Sequence, residues 1–303
     1  MTNRDHQPLA RLALVVHPTR PIDVALAALQ GWAAEHSIEV VQTPAPGRGY
    51  PRVATEGKLE PGDLVVALGG DGTVLAALRA SAAVGAPVLG VACGSLGVLT
   101  AVPADEIASA LDRFRAGDWT PRRLPALGIH PADAPDEWAV NDFVVVRHAT
   151  GQVAVELYVD DELYVRLAGD GLIVATPVGS GAYSMAAGGP LLVPGTEAIV
   201  CTPIAMHGGS APPLVVPGSS DVKIVVHPNF AGFDVEIDGQ PQPHTALEYR
   251  LDLHSEKVTL VSFGEPGPGL TALRARGLVT DSPRMLARDD RLLAAQEPHQ
   301  DVR

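Results

Sequence analysis

Apolar runs in the first third of the chain are continuous rather than alternating, and each closes on glycine, proline or a small polar turn. Residues 11–16 read Arg-Leu-Ala-Leu-Val-Val and stop at His17-Pro18-Thr19-Arg20, and residues 38–41, 64–68 and 86–91 repeat the pattern. A run that is apolar at successive positions is buried on both faces, which marks a parallel strand. Between these runs, Val24, Ala25, Ala28, Leu29 and Trp32 recur at helical spacing within residues 21–36, and residues 103–116 read as another helix. The alternation predicts a parallel sheet flanked by helices, with ligands at the carboxyl ends of its strands.

After about residue 123 the texture changes. Residues 139–146, 152–159, 162–167, 221–226, 233–237 and 257–261 are short, β-branched and punctuated by turns, the pattern of an antiparallel β domain. Asp160-Asp161 fits a hairpin turn, and Asp238-Gly239-Gln240 fits a hairpin tip. The expected division is an α/β domain over residues 1–123, a β-rich domain over 124–273 and a polar C-terminal segment over 274–303. That last segment is expected to pack back on the first domain and to end in disorder.

Composition narrows the class. The chain has 303 residues, enough for one large or two ordinary domains, with 46% hydrophobic and only 4% aromatic residues. A net charge of −13 argues against wrapping a polyanion, so no nucleic-acid partner is expected. No apolar span approaches the ~20 residues of a membrane helix and no signal peptide is visible, so neither a membrane partner nor export is expected. Cys93 and Cys201 lack metal-ligand spacing and read as free thiols of a cytoplasmic protein.

The chemistry concentrates where the run 64–68 ends, at Gly69-Gly70-Asp71-Gly72-Thr73, with the good helix formers Ala76-Ala77-Leu78-Arg79-Ala80 just beyond. Glycines let backbone N–H groups approach a ligand, and a helix N-terminus adds donors and positive dipole suited to phosphate. A carboxylate at Asp71 repels phosphate, and makes sense there if it meets a bridging cation or takes a proton from an attacking hydroxyl. The same residues also suit a plain strand-to-helix turn with Asp71 or Thr73 as cap. No Gly-Lys-Ser/Thr follows, so this is not a Walker loop, and the Gly-x-Gly-x-x-Gly dinucleotide fingerprint is absent.

A second segment runs from Gly169-Asp170-Gly171 through Leu172-Ile173-Val174-Ala175 into Thr176-Pro177-Val178-Gly179-Ser180-Gly181-Ala182-Tyr183-Ser184, and ends at Gly188-Gly189-Pro190. Together with Asn141-Asp142 and Asp238-Gly239-Gln240, in this order from about Leu12 to Val261, these segments resemble the NAD kinase family. The resemblance implies an N-terminal Rossmann-like parallel α/β domain, a C-terminal antiparallel β domain, and an active site between them. It further implies phosphorylation of the adenosine 2′-hydroxyl of NAD to give NADP, with ATP as donor and Mg²⁺ or another divalent cation as cofactor; polyphosphate remains an alternative donor.

On that resemblance Asp71 is the general base, while Gly69, Gly70, Gly72 and Thr73 bind phosphate. Asn141, Asp142, Asp170, Ser180, Ala182 and Tyr183 hold the NAD substrate. His207 is either a buried structural histidine or a further site residue, and Gln240 stands near the cleft. No metal ligand set is visible by spacing, and any cation sits with the phosphates, with Asp71 as a candidate ligand. A homodimer or homotetramer is the implied assembly. Four positions depart from the family pattern: Val178 and Gly181 stand where threonines are usual, Ala92 where asparagine is, and Pro212 where arginine is. They keep open a divergent kinase acting on another nucleoside or small metabolite, and a catalytically silent nucleotide-binding regulator.

Overall fold

The structure, a computed structural model, describes residues 9–43, 49–95, 97–193, 195–228, 232–264, 273–274 and 279–288. Strands Glu39–Gln42, Arg11–Val16, Leu64–Gly69 and Val88–Ala92 lie side by side in that order, all parallel. Successive side chains leave a strand on opposite faces, and both faces are covered here. Leu12, Leu14, Val66 and Leu68 pack with Leu29 and Trp32 of helix Asp23–Glu35 and with Ile107 and Leu111 of helix Ile107–Arg115. Ala13, Val15, Val65 and Ala67 pack with Val74, Ala77 and Leu78 of helix Asp71–Ser81. The double covering explains why these strands read as unbroken apolar runs.

The second half contributes antiparallel strands. A six-stranded sheet runs Leu214–Pro217, Ala198–Ile204, Gly171–Ala175, Asp142–Arg147, Phe233–Ile237 and Gln240–Pro241. Its core residues Phe143, Val145, Leu172 and Val174 meet Leu127, Ile224 and Leu251 of the other sheet. The long strand Glu248–Ser262 pairs antiparallel with Thr120–Pro131, and its Leu260 sits in parallel register with Val88. One twelve-stranded sheet therefore passes through both halves, and residue 123 lies inside one of its strands.

Several elements differ from the reading above for physical reasons. The helix after Gly70 starts at Asp71 itself, so Asp71, Gly72 and Thr73 form its first turn. Strand Thr120–Pro131 carries three prolines, which read as breaks, yet it forms. Strand Glu248–Ser262 is far longer than residues 257–261, because the outward-facing Arg250, Asp252 and His254 interrupt its apolar signal. Asp160 and Asp161 both adopt positive φ, as do Asp238 and Gly239, the backbone of a tight hairpin turn at each place. Cys93 and Cys201 are free thiols, and burial pushes Cys201 up to about 12. No helix among the described residues is long and apolar enough to cross a membrane. Most of segment 274–303, and with it the expectation that it packs back on the first domain and ends disordered, lies outside the described residues.

Gly171 tests this packing. Its φ is +157°, and an added Cβ would lie 2.0 Å from the Val145 carbonyl oxygen in the neighbouring strand. Gly171→Ala is expected to cost about 2 kcal/mol or more, seen as a lower denaturant midpoint at unchanged slope.

Candidate active site

The carboxyl ends of the parallel strands open into a cavity of about 590 Å³. One wall is His17, Arg20, Gly70, Asp71, Gly72 and Thr73, and the other is Ile237, Asp238 and Gln240 of the second half. The turn is shaped by close contact: a Cβ on Gly69 would lie 2.2 Å from Thr73 Oγ1, so only glycine fits there. Gly70 forms the N-cap, and no side chain caps the helix. The capping role open to Asp71 or Thr73 is therefore not taken up, and the positive end of the helix faces the cavity. The exposed Arg20 guanidinium stands over this end, 3.6 Å from where a Cβ on Gly70 would sit, and makes no ion pair among the described residues. Backbone donors, helix dipole and a cation thus converge at one spot.

Asp71 turns away from its own helix. Its Oδ2 accepts the Val98 N–H and its Oδ1 the Leu99 N–H, both at 2.9 Å. Gly97 lies against the carboxylate, where a Cβ would be 2.1 Å from Oδ1. Each oxygen retains a second lone pair for a proton or a cation. Asparagine at 71 would keep the shape but set an N–H₂ group against one of these two donors.

Asp238 joins the cavity to the Asn141-Asp142 dipeptide. Its side chain is 2% exposed, and its carboxylate accepts the N–H groups of Val140 at 3.0 Å, Asn141 at 2.7 Å and Asp142 at 3.4 Å. Arg79 pairs with it at 3.5 Å. Burial still lifts Asp238 above the usual carboxylate range, against the pull of these donors. The adjoining Asp142 is 4% exposed, and burial, then Asp238 and Glu236, push its carboxyl up to about 7. Tyr183, raised chiefly by burial and further by Glu236, Asp170 and Asp142, belongs to the same electrostatic neighbourhood. Asp170 is itself compensated by Arg147 at 2.6 Å.

Loop 176–182 is docked on the same dipeptide. Thr176 donates its N–H to the Asn141 carbonyl and its hydroxyl to the Val140 carbonyl, while a Cβ on Gly179 would fall 1.9 Å from the Asn141 oxygen. Ser180 is fully buried; its hydroxyl donates to the Pro177 carbonyl and accepts the Leu192 N–H, so it shapes the loop from within. Ala182 links the short turn Gly179–Gly181 to helix Tyr183–Ala186 and leaves Tyr183 41% exposed.

The predicted residues thus fall into two groups, the glycine turn with Asp71 and Gln240, and the Asn141–Asp142–Asp170–Tyr183 neighbourhood, with Asp238 between them. His207 is exposed, 3.2 Å from Gln152 Oε1, which corrects its reading as a buried histidine; it does not line the cavity. Arg20, Arg79 and Thr176 were missed, since isolated arginines and threonines carry no pattern.

Residues 14–119 match the family model for the ATP-NAD kinase N-terminal domain, and residues 140–255 that for the ATP-NAD kinase C-terminal domain. The chain belongs to the NAD kinase family. It is 38% identical over 198 residues to an NAD kinase of Clostridium perfringens, covering 64% of this chain and 70% of that one. A crystal structure of yeast NADH kinase complexed with NADH superposes with a TM-score of 0.68 at 21% identity, over 98% of this chain and 91% of that one. An NAD kinase from Archaeoglobus fulgidus in complex with ATP gives 0.68 at 22% identity, over 89% and 100%. These likenesses agree with the NAD kinase fold expected from the sequence.

Two measurements check the site geometry of this NAD kinase family member. Gly97→Ala should push the Asp71 carboxylate off its donors and sharply lower hydrogen-exchange protection at Val98 and Leu99, with other strands unaffected. Asp142 supplies a pH signature: the folded carboxyl keeps its proton to about pH 7, whereas the unfolded one releases it near 3.8. The folded state therefore binds more protons between these values, and stability falls as pH rises, by at most about 1.4 kcal/mol per pH unit for this group. Asp142→Asn should flatten the slope; an unchanged slope would place its titration elsewhere.

Proposed function

We propose that this chain is an ATP-dependent NAD kinase that phosphorylates the adenosine 2′-hydroxyl of NAD to give NADP. The observation that carries the reading is a half-buried carboxylate, Asp71, at the lip of an uncapped helix N-terminus inside a cavity walled by both halves of the chain. Phosphoryl transfer asks chiefly for positioning and charge compensation, and this site supplies both.

In this reading the amides around Gly70 and Gly72, with Arg20, hold the donor phosphates, and Gly69 and Thr73 set the turn. Asn141 and Asp142 hold the adenosine ribose and base; Tyr183 and Asp170 belong to the same electrostatic neighbourhood, and Ser180 and Ala182 shape the loop beside it. Asp71 accepts the proton as the 2′-oxygen bonds to the γ-phosphorus, and the bond from that phosphorus to the β-phosphate bridging oxygen breaks to release ADP. The residues fit a divalent cation carried in with the phosphates, since each Asp71 oxygen keeps a second lone pair beside the cavity. Such an ion neutralises charge on the phosphates.

The test is purified protein with ATP, Mg²⁺ and a panel of NAD, NADH and other nucleosides, with products read by mass. NADP formed from NAD supports the reading, whereas phosphorylation of a different acceptor alone would overturn it. Asp71→Ala should lower turnover by about 10²–10⁴-fold. Retention of more than about a tenth of the wild-type rate would remove Asp71 from the base role.

A further inference from the structure

Arg79 lies on the same helix as Asp71, eight residues on and therefore about 12 Å along its axis. Its guanidinium leaves the first half of the chain altogether. It pairs with Asp238 at 3.5 Å and with Glu137 at 3.3 Å, and donates to the Trp138 carbonyl, with the Trp138 ring 5.1 Å away. Asp238, at its other end, is the acceptor for the N–H groups of Val140, Asn141 and Asp142. One side chain therefore ties the helix that carries the phosphate turn to the backbone of the dipeptide across the cavity.

Asp238 suits this link twice over. Its φ of 50° is one that aspartate tolerates better than most residues, and the hairpin turn needs it. The same turn aims its carboxylate back toward residues 140–142 rather than into solvent. A carboxylate buried to this degree is costly unless it is paired and hydrogen-bonded, so the three N–H groups and Arg79 hold each other in place.

We propose that the Arg79–Asp238 pair is a positioning bridge that sets where Asn141 and Asp142 stand relative to Asp71, and so governs acceptor binding rather than donor binding. The inference rests on the NAD kinase reading for the identity of the acceptor. Both residues line the cavity, and the bridge acts through the backbone of the dipeptide.

The test uses the full chain, with steady-state kinetics for NAD and ATP and calorimetric binding of NAD without ATP. Arg79→Met should raise the KM for NAD about tenfold or more and weaken NAD binding to match. The KM for ATP should stay within about twofold, because the phosphate turn is untouched. Arg79→Lys, which keeps the charge, should recover much of the loss, a rescue that simple loss of packing would not show. Asp238→Asn should act in the same direction, and the double variant should be little worse than either single one, since the two share one interaction. If Arg79→Met does not fold in a thermal melt, Asp238→Asn decides alone. Equal changes for NAD and ATP, or unchanged NAD binding in a folded variant, would overturn the bridge. Wild-type protein that binds NAD without forming NADP would instead overturn the kinase reading, and the binding arm would still judge the bridge.

Discussion

Asp238 places a carboxylate in nearly dry surroundings and meets it with three consecutive backbone N–H groups and one guanidinium. The arrangement depends on the chain's long-range order, since the donors lie 96–98 residues away and Arg79 lies still further back. The hairpin at Asp238-Gly239, the entry into strand Asp142–Arg147 and the docking of Thr176 and Gly179 on Asn141 all meet at this point. A displaced Asp238 would leave buried backbone donors without an acceptor, at about 1–3 kcal/mol each. The cleft therefore inherits its shape from a polar contact more than from its apolar walls.

Charge is divided across that contact. The whole chain is strongly acidic, yet the turn that faces the proposed donor offers backbone N–H groups, a helix dipole and Arg20. Amides at a helix end attract phosphate without adding a formal charge to the chain. The other side gathers Asp142, Asp170 and Glu236, with Arg147 compensating Asp170. Such groups exchange hydrogen bonds with hydroxyl and amino groups, which suits a nucleoside acceptor better than a second polyanion. Asp71 stands in the glycine turn, held by loop amides, so its orientation is set before any ligand arrives.

The parallel sheet and its helices were legible because burial on both faces leaves an unbroken apolar signal. The turn Gly69–Thr73 stood out because three glycines surround one aspartate where an apolar run ends, and only its order with Asn141-Asp142 and the segment 169–184 set it apart from a plain strand-to-helix turn. The long strand Glu248–Ser262 was not, because one face points outward and its charged residues mask the period, and Thr120–Pro131 was hidden by its prolines. Asp71 could be named from sequence as a candidate, but its acceptance of the Val98 and Leu99 amides could not, since those partners lie nearly thirty residues away. Arg79 and Arg20 carry meaning only once the fold brings Gly70 and Asp238 to them.

The departures from the family pattern do not all weigh the same once packing is considered. Val178 lies against the apolar cluster that holds Val74, Leu99 and Val140, beneath the helix of the phosphate turn. A threonine there would bring a hydroxyl into apolar company, at a cost of about 1–3 kcal/mol if it found no partner. Valine meets that cluster without a hydroxyl that would need a partner. Ala92 is likewise buried within its strand, and the Pro212 carbonyl accepts the Tyr164 hydroxyl at 2.9 Å. Gly181 is different: its φ is not positive, so the backbone does not require glycine, and nothing in the structure explains its choice. Of the four departures, position 181, two residues before Tyr183, is therefore the one that packing does not account for.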